Sequence, residues 1–283
     1  MGRAIARRHA LLGLAASACV TPGVARAVEV DMARLITVRR GDLPIILTAP
    51  HGGGLAVPGV RERDRNDPQQ IARSRTYGGV VLGADLNTDL LAQAIADEIR
   101  RLTGKSPSLT IAHFARRFID ANRPPDAAFS DPAALPVYRA YHDAIRTEVD
   151  VIRERFANAI LIDIHGQGVA PDVLMRGTVN GRTVSRLVAR AGIAAMTGDS
   201  GLFGRLQAEG FGIFPQNDAA KTLAGEDSGF RGGYTVATYG SNHPDGIDAA
   251  QWELGSKFRQ TEALKDWAAK AARAIVAFQA KYL

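Results

Sequence analysis

The chain has 283 residues and a formal charge of +6 at neutral pH. That excess sits at the front. Residues 1–27 hold Arg3, Arg7, Arg8, Arg26 and no acid, and without them the charge is +2, too small to argue for a nucleic-acid partner. Cys19, the one cysteine, lies in the same segment, so residues 28–283 have no disulfide, thiolate metal site or cysteine nucleophile.

Residues 1–27 read as a secretory signal, with early arginines, the apolar run ALLGLAASACV, and an A-x-A step ending at Ala27. The run is too short to span a bilayer. The adjacent Arg7 and Arg8 favour the twin-arginine route over a Sec signal that happens to hold two arginines. That route exports folded proteins, so a metal could be loaded before export. The expectation is cleavage after Ala27, a periplasmic location and no membrane anchor afterwards. With no repeat, heptad or linker, residues 28–283 are expected to form one catalytic domain. Nothing in the pattern sets an oligomeric state.

ARLITVRRGDLPIILTAP (33–50) predicts two strands joined by a polar turn at Arg39–Asp42, the second apolar on both faces. Residues 57–79 are charged and punctuated by Pro and Gly, as in a surface loop. Asp85–Leu102 predicts a helix with Leu86, Leu90, Ile95, Ile99 and Leu102 on one face, stopped by Gly104. SLTIAHFAR (108–116) predicts a strand and NRPPDAAFSDPAALP (122–136) a loop. Pro136–Phe156 predicts a second helix, and AILIDIHG (159–166) a second buried strand. A short strand at 172–179, a short helix at Thr183–Arg190 and a glycine-rich stretch at 197–218 follow. GGYTVATYG (232–240) predicts a strand, and Asp248 onward a long helix. The alternation points to an α/β protein with a mostly parallel sheet.

LTAPHGGG (47–54) and LIDIHGQG (161–168) share one feature: an apolar run ending in a His-Gly step. Ligands of open α/β sheets bind beyond the carboxyl ends of the strands. Two such strands bring His51 and His165 to that edge, where two imidazoles suit a zinc ion that takes three protein ligands. The third ligand should be a carboxylate or histidine. Asp85 is the first choice, against its alternative role as a helix N-cap. Glu62 and Asp64 compete, in surroundings that look like a solvated loop. Asp163, two residues before His165, shares its side of a strand and is placed to orient it.

PHGGG (50–54), DLNT (85–88), RRFIDANRP (116–124), IDIHGQG (162–168), GGYTVATYG (232–240) and AQWELGSKFR (250–259) together resemble the N-formylglutamate amidohydrolase family. These are zinc-dependent amidohydrolases related to metallocarboxypeptidases, and the pieces occur in family order across most of residues 28–283. The resemblance implies a phosphorylase/hydrolase-like three-layer α/β/α fold with a mostly parallel mixed sheet. It implies one zinc per chain on His51, Asp85 and His165. Gly54 stands where the carboxypeptidase His-x-x-Glu step has its Glu, so the third ligand departs from that pattern. Glu253 matches the general base, with the first turn of a helix as its ordinary role. Asn122 and Arg123 match a pair that holds a substrate carboxylate. Arg117 or Arg231 would polarise the scissile carbonyl. His243 is expected to be a loop residue.

The expected substrate is a small carboxylate-bearing N-acyl amino acid or peptide. A periplasmic metallocarboxypeptidase, a γ-glutamyl or cell-wall peptide hydrolase, and a non-catalytic ligand-binding protein are the alternatives. A Ser-His-Asp hydrolase lacks its G-x-S-x-G elbow, and a nucleotide site lacks its glycine fingerprint.

Overall fold

The computed structural model of the protein describes residues 30–217 and 222–283, so the expected signal lies outside the described residues. Among them no helix is long and apolar enough to cross a membrane.

Seven strands form one sheet: β1 (Ile36–Arg39), β2 (Ile45–Ala49), β3 (Ser108–Ala112), β4 (Ile160–Gly166), β5 (Val173–Gly177), β6 (Gly212–Phe214) and β7 (Asp248–Leu254). Their order is β1-β3-β2-β4-β7-β5-β6. The four central strands β3, β2, β4 and β7 run parallel, β1 and β5 pair antiparallel with β3 and β7, and β6 is parallel to β5. Every residue of β2, β3 and β7 is buried. A strand covered on both faces must be apolar on both, which is why IILTA and ILI read as continuous runs.

Alternate side chains of the sheet feed two cores. On one face Ile45, Leu47, Ile162, Ile164 and Trp252 pack against the helices Thr88–Thr103 and Leu264–Tyr282. On the other, Ile46, Leu161 and Ala249 pack against the helix Leu135–Arg155 and the short helix Tyr234–Tyr239. The result is the expected three-layer α/β/α arrangement with a mixed sheet.

β1 and β2 are the two expected strands, with β3 inserted between them in the sheet. Three local expectations are corrected. The first long helix begins at Thr88, so Leu86, Leu90 and Leu102 are exposed and Leu91, Ala92, Ile95, Ala96 and Ile99 form the buried stripe. GGYTVATYG forms the helix Tyr234–Tyr239 rather than a strand. Residues 248–254 form the central strand β7, and the last helix starts only at Leu264. The polar excursion and the expected loop at 122–136 carry short helices, Pro68–Ser74 and Pro125–Ala128.

Candidate metal centre

The strand register builds this site. On β4, Asp163 and His165 share a face. On β7, Gln251 lies opposite Asp163 and Glu253 opposite His165. Thr48 on β2 also pairs with Asp163 and donates its hydroxyl to Oδ1 at 2.5 Å. Polar side chains therefore replace the apolar ones on one face of the sheet at its carboxyl edge.

His51 follows β2 directly. The two glycines after it serve close approach: a Cβ on Gly52 would strike Asp89, and one on Gly53 would strike the backbone of His113. Asp85 is brought in by its own N–H, which donates to the His51 carbonyl at 3.0 Å. Arg259 clamps the same corner. It donates to the carbonyls of Leu86, Leu254 and Gln167 at 2.5, 3.0 and 3.2 Å.

Nδ1 of His51 and Nδ1 of His165 lie 3.2 Å apart, and Oδ2 of Asp85 lies 3.3 and 3.1 Å from them. A tetrahedral zinc at about 2.0–2.2 Å from its ligands needs neighbouring ligand atoms roughly 3.3 Å apart. The three atoms thus have the spacing of one face of a metal tetrahedron. The outer nitrogens agree with this. Nε2 of His51 donates to Oδ1 of Asp120 at 2.7 Å, and Nε2 of His165 to Oδ2 of Asp163 at 2.8 Å. Each carboxylate fixes the ring proton on the far side and leaves an Nδ1 lone pair pointing inward. The donor set fits a divalent cation. Glu62 and Asp64 do not compete for it. Glu62 is exposed beside Arg117, and Asp64 accepts from the Asn66 N–H.

Buried charge surrounds the cluster. Asp120 is fully buried and also accepts from Nε of Arg116 at 2.9 Å. Burial pushes its pKa up, but Arg116, His51 and Arg123 outweigh that and hold it well below the carboxylate range. Burial likewise opposes ionisation of Asp85, while its contacts with the imidazoles of His165 and His51 hold its pKa well below the carboxylate range. Glu253 differs. Burial raises it to about 7, with only partial opposition from the His165 charge. Nε2 of Gln251 donates to its Oε1 at 2.7 Å.

The cluster opens into a cavity of about 960 Å³ lined by His51, Asp85, His165, Glu253, Arg116 and Arg231, among others. Asn122 and Arg123 also line it, but both are engaged. Oδ1 of Asn122 accepts from the Thr235 N–H at 2.8 Å, and Arg123 donates to the carbonyls of Asn122 and Tyr77 at 2.9 and 2.5 Å. Arg117 is not brought to the cavity. Its side chain is 53% exposed and lies 3.9 Å from Glu62, while Arg116, the other half of the Arg-Arg pair, takes the inward position. His243, expected to be a loop residue, is on an exposed turn at the cavity mouth. Asp120, Arg116, Gln251 and Arg259 went unassigned in the sequence. Their one signal was membership of RRFIDANRP and AQWELGSKFR.

With this geometry in hand, likeness to solved structures is informative. The chain has the fold of an N-formylglutamate amidohydrolase. The enzyme of that name from Ralstonia eutropha JMP134 superposes with a TM-score of 0.58 at 16% identity, over 88% of this chain and 98% of that one. A gene product of Agrobacterium tumefaciens superposes with a TM-score of 0.51 at 12% identity, over 89% and 95%. No protein-family model and no curated protein matches the sequence.

Proposed function

We propose that this protein is a zinc-dependent amidohydrolase cleaving a linear amide next to a carboxylate, with N-formylglutamate deformylation as the nearest named activity. The observation that carries this reading is the triangle of His51 Nδ1, Asp85 Oδ2 and His165 Nδ1, each imidazole backed by its own carboxylate, with Glu253 beside it on β7.

His51, Asp85 and His165 would hold the zinc ion, which would supply Lewis acidity toward water and toward a carbonyl oxygen. The chain supplies the rest. Glu253 takes the proton of the attacking water on one carboxylate oxygen and delivers it to the leaving nitrogen. Burial raises the pKa of this carboxyl, to about 7 without metal, and a raised carboxyl suits delivery of the proton to the leaving nitrogen. Gln251 holds the other part of that carboxylate and fixes its direction. Arg116, 3.6 Å from Asp85, is the guanidinium suited to steady charge on the scissile carbonyl. The substrate carboxylate falls to Arg231, exposed on the cavity wall, since both terminal nitrogens of Arg123 already donate to backbone carbonyls. The signal-like residues 1–27 support export to the periplasm, with 28–283 acting as one catalytic domain.

The test is metal content and turnover of residues 28–283. One zinc per chain is expected, lost in His51→Ala and His165→Ala. Glu253→Gln should keep the zinc and lose turnover of N-acyl amino acids by about 10²–10⁴-fold. Zinc-loaded Glu253→Gln as active as the parent would reject the mechanism. A parent that binds such compounds without hydrolysing them would be a binding protein.

A further inference from the structure

The cavity is much larger than a one-carbon acyl group and a single amino acid require. At about 960 Å³ it lies at the upper end of the range for small-molecule sites. Among polar neighbours such as Thr76, Ser228 and Arg231, it is lined by two stretches of apolar side chains. Tyr77 and Val81 form one, each more than a third exposed, from the excursion after His51. Val179, Phe230 and Tyr234 form the other.

Both stretches are pinned by buried charges. Arg63, 3% exposed, donates to the Val81 carbonyl at 2.9 Å, and Arg123 donates to that of Tyr77. In the second stretch the Glu226 carboxylate accepts from the N–H groups of Thr178 and Asn180, from the Thr178 hydroxyl and from Arg176. Between those two anchored N–H groups sits Val179, with φ of +50°. A β-branched residue is strained in this left-handed region, which glycine or asparagine would occupy more easily. Strain of this kind persists where surrounding bonds over-determine it, and it clusters at ligand sites. The residue held there is apolar and lines the cavity.

We propose that these stretches form an apolar subsite, with Val179 as a specificity-determining residue. The substrate would then carry an apolar group of about six or more carbons beside the scissile amide rather than a formyl group alone. This rests on the amidohydrolase reading above. Two sources of the apolar group are separable, an acyl chain or the side chain of the amino acid.

The experiment measures binding to zinc-loaded Glu253→Gln by calorimetry, and turnover by the zinc-loaded parent, with three probes. These are N-octanoyl-L-glutamate, N-formyl-L-phenylalanine and N-formyl-L-glutamate. Each methylene buried should strengthen binding roughly fourfold. At least one apolar probe should therefore bind tenfold or more tighter than N-formyl-L-glutamate, and which one identifies the source. Val179→Gly should retain the parental melting temperature within a few degrees, because it relieves strain, and lose that preference. Val81→Ser, an exposed substitution in the other stretch, should lose part of it. Equal or tighter binding of N-formyl-L-glutamate overturns the subsite, as does an undiminished preference in both variants. If N-formyl-L-glutamate alone is hydrolysed, the enzyme reading stands and the subsite falls. If apolar probes bind with the predicted preference and none is hydrolysed, the subsite stands and the enzyme reading falls. If no probe binds or reacts, both fall.

Discussion

His51 and His165 each face carboxylates at both ring nitrogens, and the two ends do different work. At Nε2, Asp120 and Asp163 keep a proton in place. Exchanging either for asparagine removes the charge behind the ring and should weaken zinc binding about 10–100-fold, read by competition with a chromophoric chelator. Unchanged affinity in both variants would reduce these aspartates to packing. At Nδ1 a proton and a cation compete. Without metal, burial disfavours charged His165, but the Asp163 charge and hydrogen bonds to Asp163 and Asp85 hold its pKa well above the usual imidazole value. Metal must displace that proton, so zinc affinity should fall with pH, approaching tenfold per unit below neutrality. A flat affinity between about pH 6 and 8 would contradict this. Glu253 has a different consequence. Its pKa in the folded protein, about 7, exceeds the ordinary 4.5, so the fold favours the protonated form. The stabilisation is complete at pH below the ordinary value and is lost as pH rises through 7. Metal-free Glu253→Gln should therefore be more stable than the parent at alkaline pH, by about 3 kcal/mol at most, with the gap closing in acid. A cation bound as proposed would lower this pKa, so the acid limb of the expected hydrolysis rate should lie at or below pH 7.

β7 is the element on which the sequence reading and the structure part most instructively. DAAQWEL carries Ala, Gln, Glu and Leu, good helix formers, and no alternation that marks a strand. Its position between β4 and β5, covered on both faces, decides otherwise, and tertiary context overrides propensity. Trp252 tests the point. It is fully buried against Phe203 in the larger core, so Trp252→Ala should cost about 3–5 kcal/mol in urea unfolding. A loss below about 1 kcal/mol would mean the residue is not in the core. The reverse error at residues 234–239 has the same source. Tyr, Thr and Val favour strands, yet Val236 and Tyr239 at helical spacing bury one face of a short helix. What was legible was local and repeated: an apolar run, then His-Gly, twice. Those steps placed His51 and His165 correctly at one sheet edge, with Asp163 behind the second. Glu253 was reached by resemblance and assigned to a helix, because no local pattern reveals that β7 lies beside β4. Arg116 and Arg117 are adjacent, and only the backbone direction at that turn separates the buried guanidinium from the solvated one.

At the scale of the whole molecule, the centre draws together pieces far apart in the chain. His51 ends β2, Asp85 precedes the helix Thr88–Thr103, His165 ends β4, and Arg259 ties the Asp85 corner to the ends of β4 and β7. None of these pieces lies close to another in an unfolded chain, so a cation that needs all three ligands binds the folded state and barely binds the unfolded one. Stability must then rise with metal by mass action, by about 4 kcal/mol at a free concentration a thousand times the dissociation constant. For a domain of this size that is roughly 8–16 °C in melting temperature. Scanning calorimetry of chelator-treated protein, with and without added zinc, reads the shift directly. It should vanish in His51→Ala and His165→Ala and persist in Glu253→Gln, which touches no ligand. Persistence in both histidine variants would show that zinc stabilises the protein from another site. Loss in Glu253→Gln alone would make that carboxylate a ligand and remove it from the role of base.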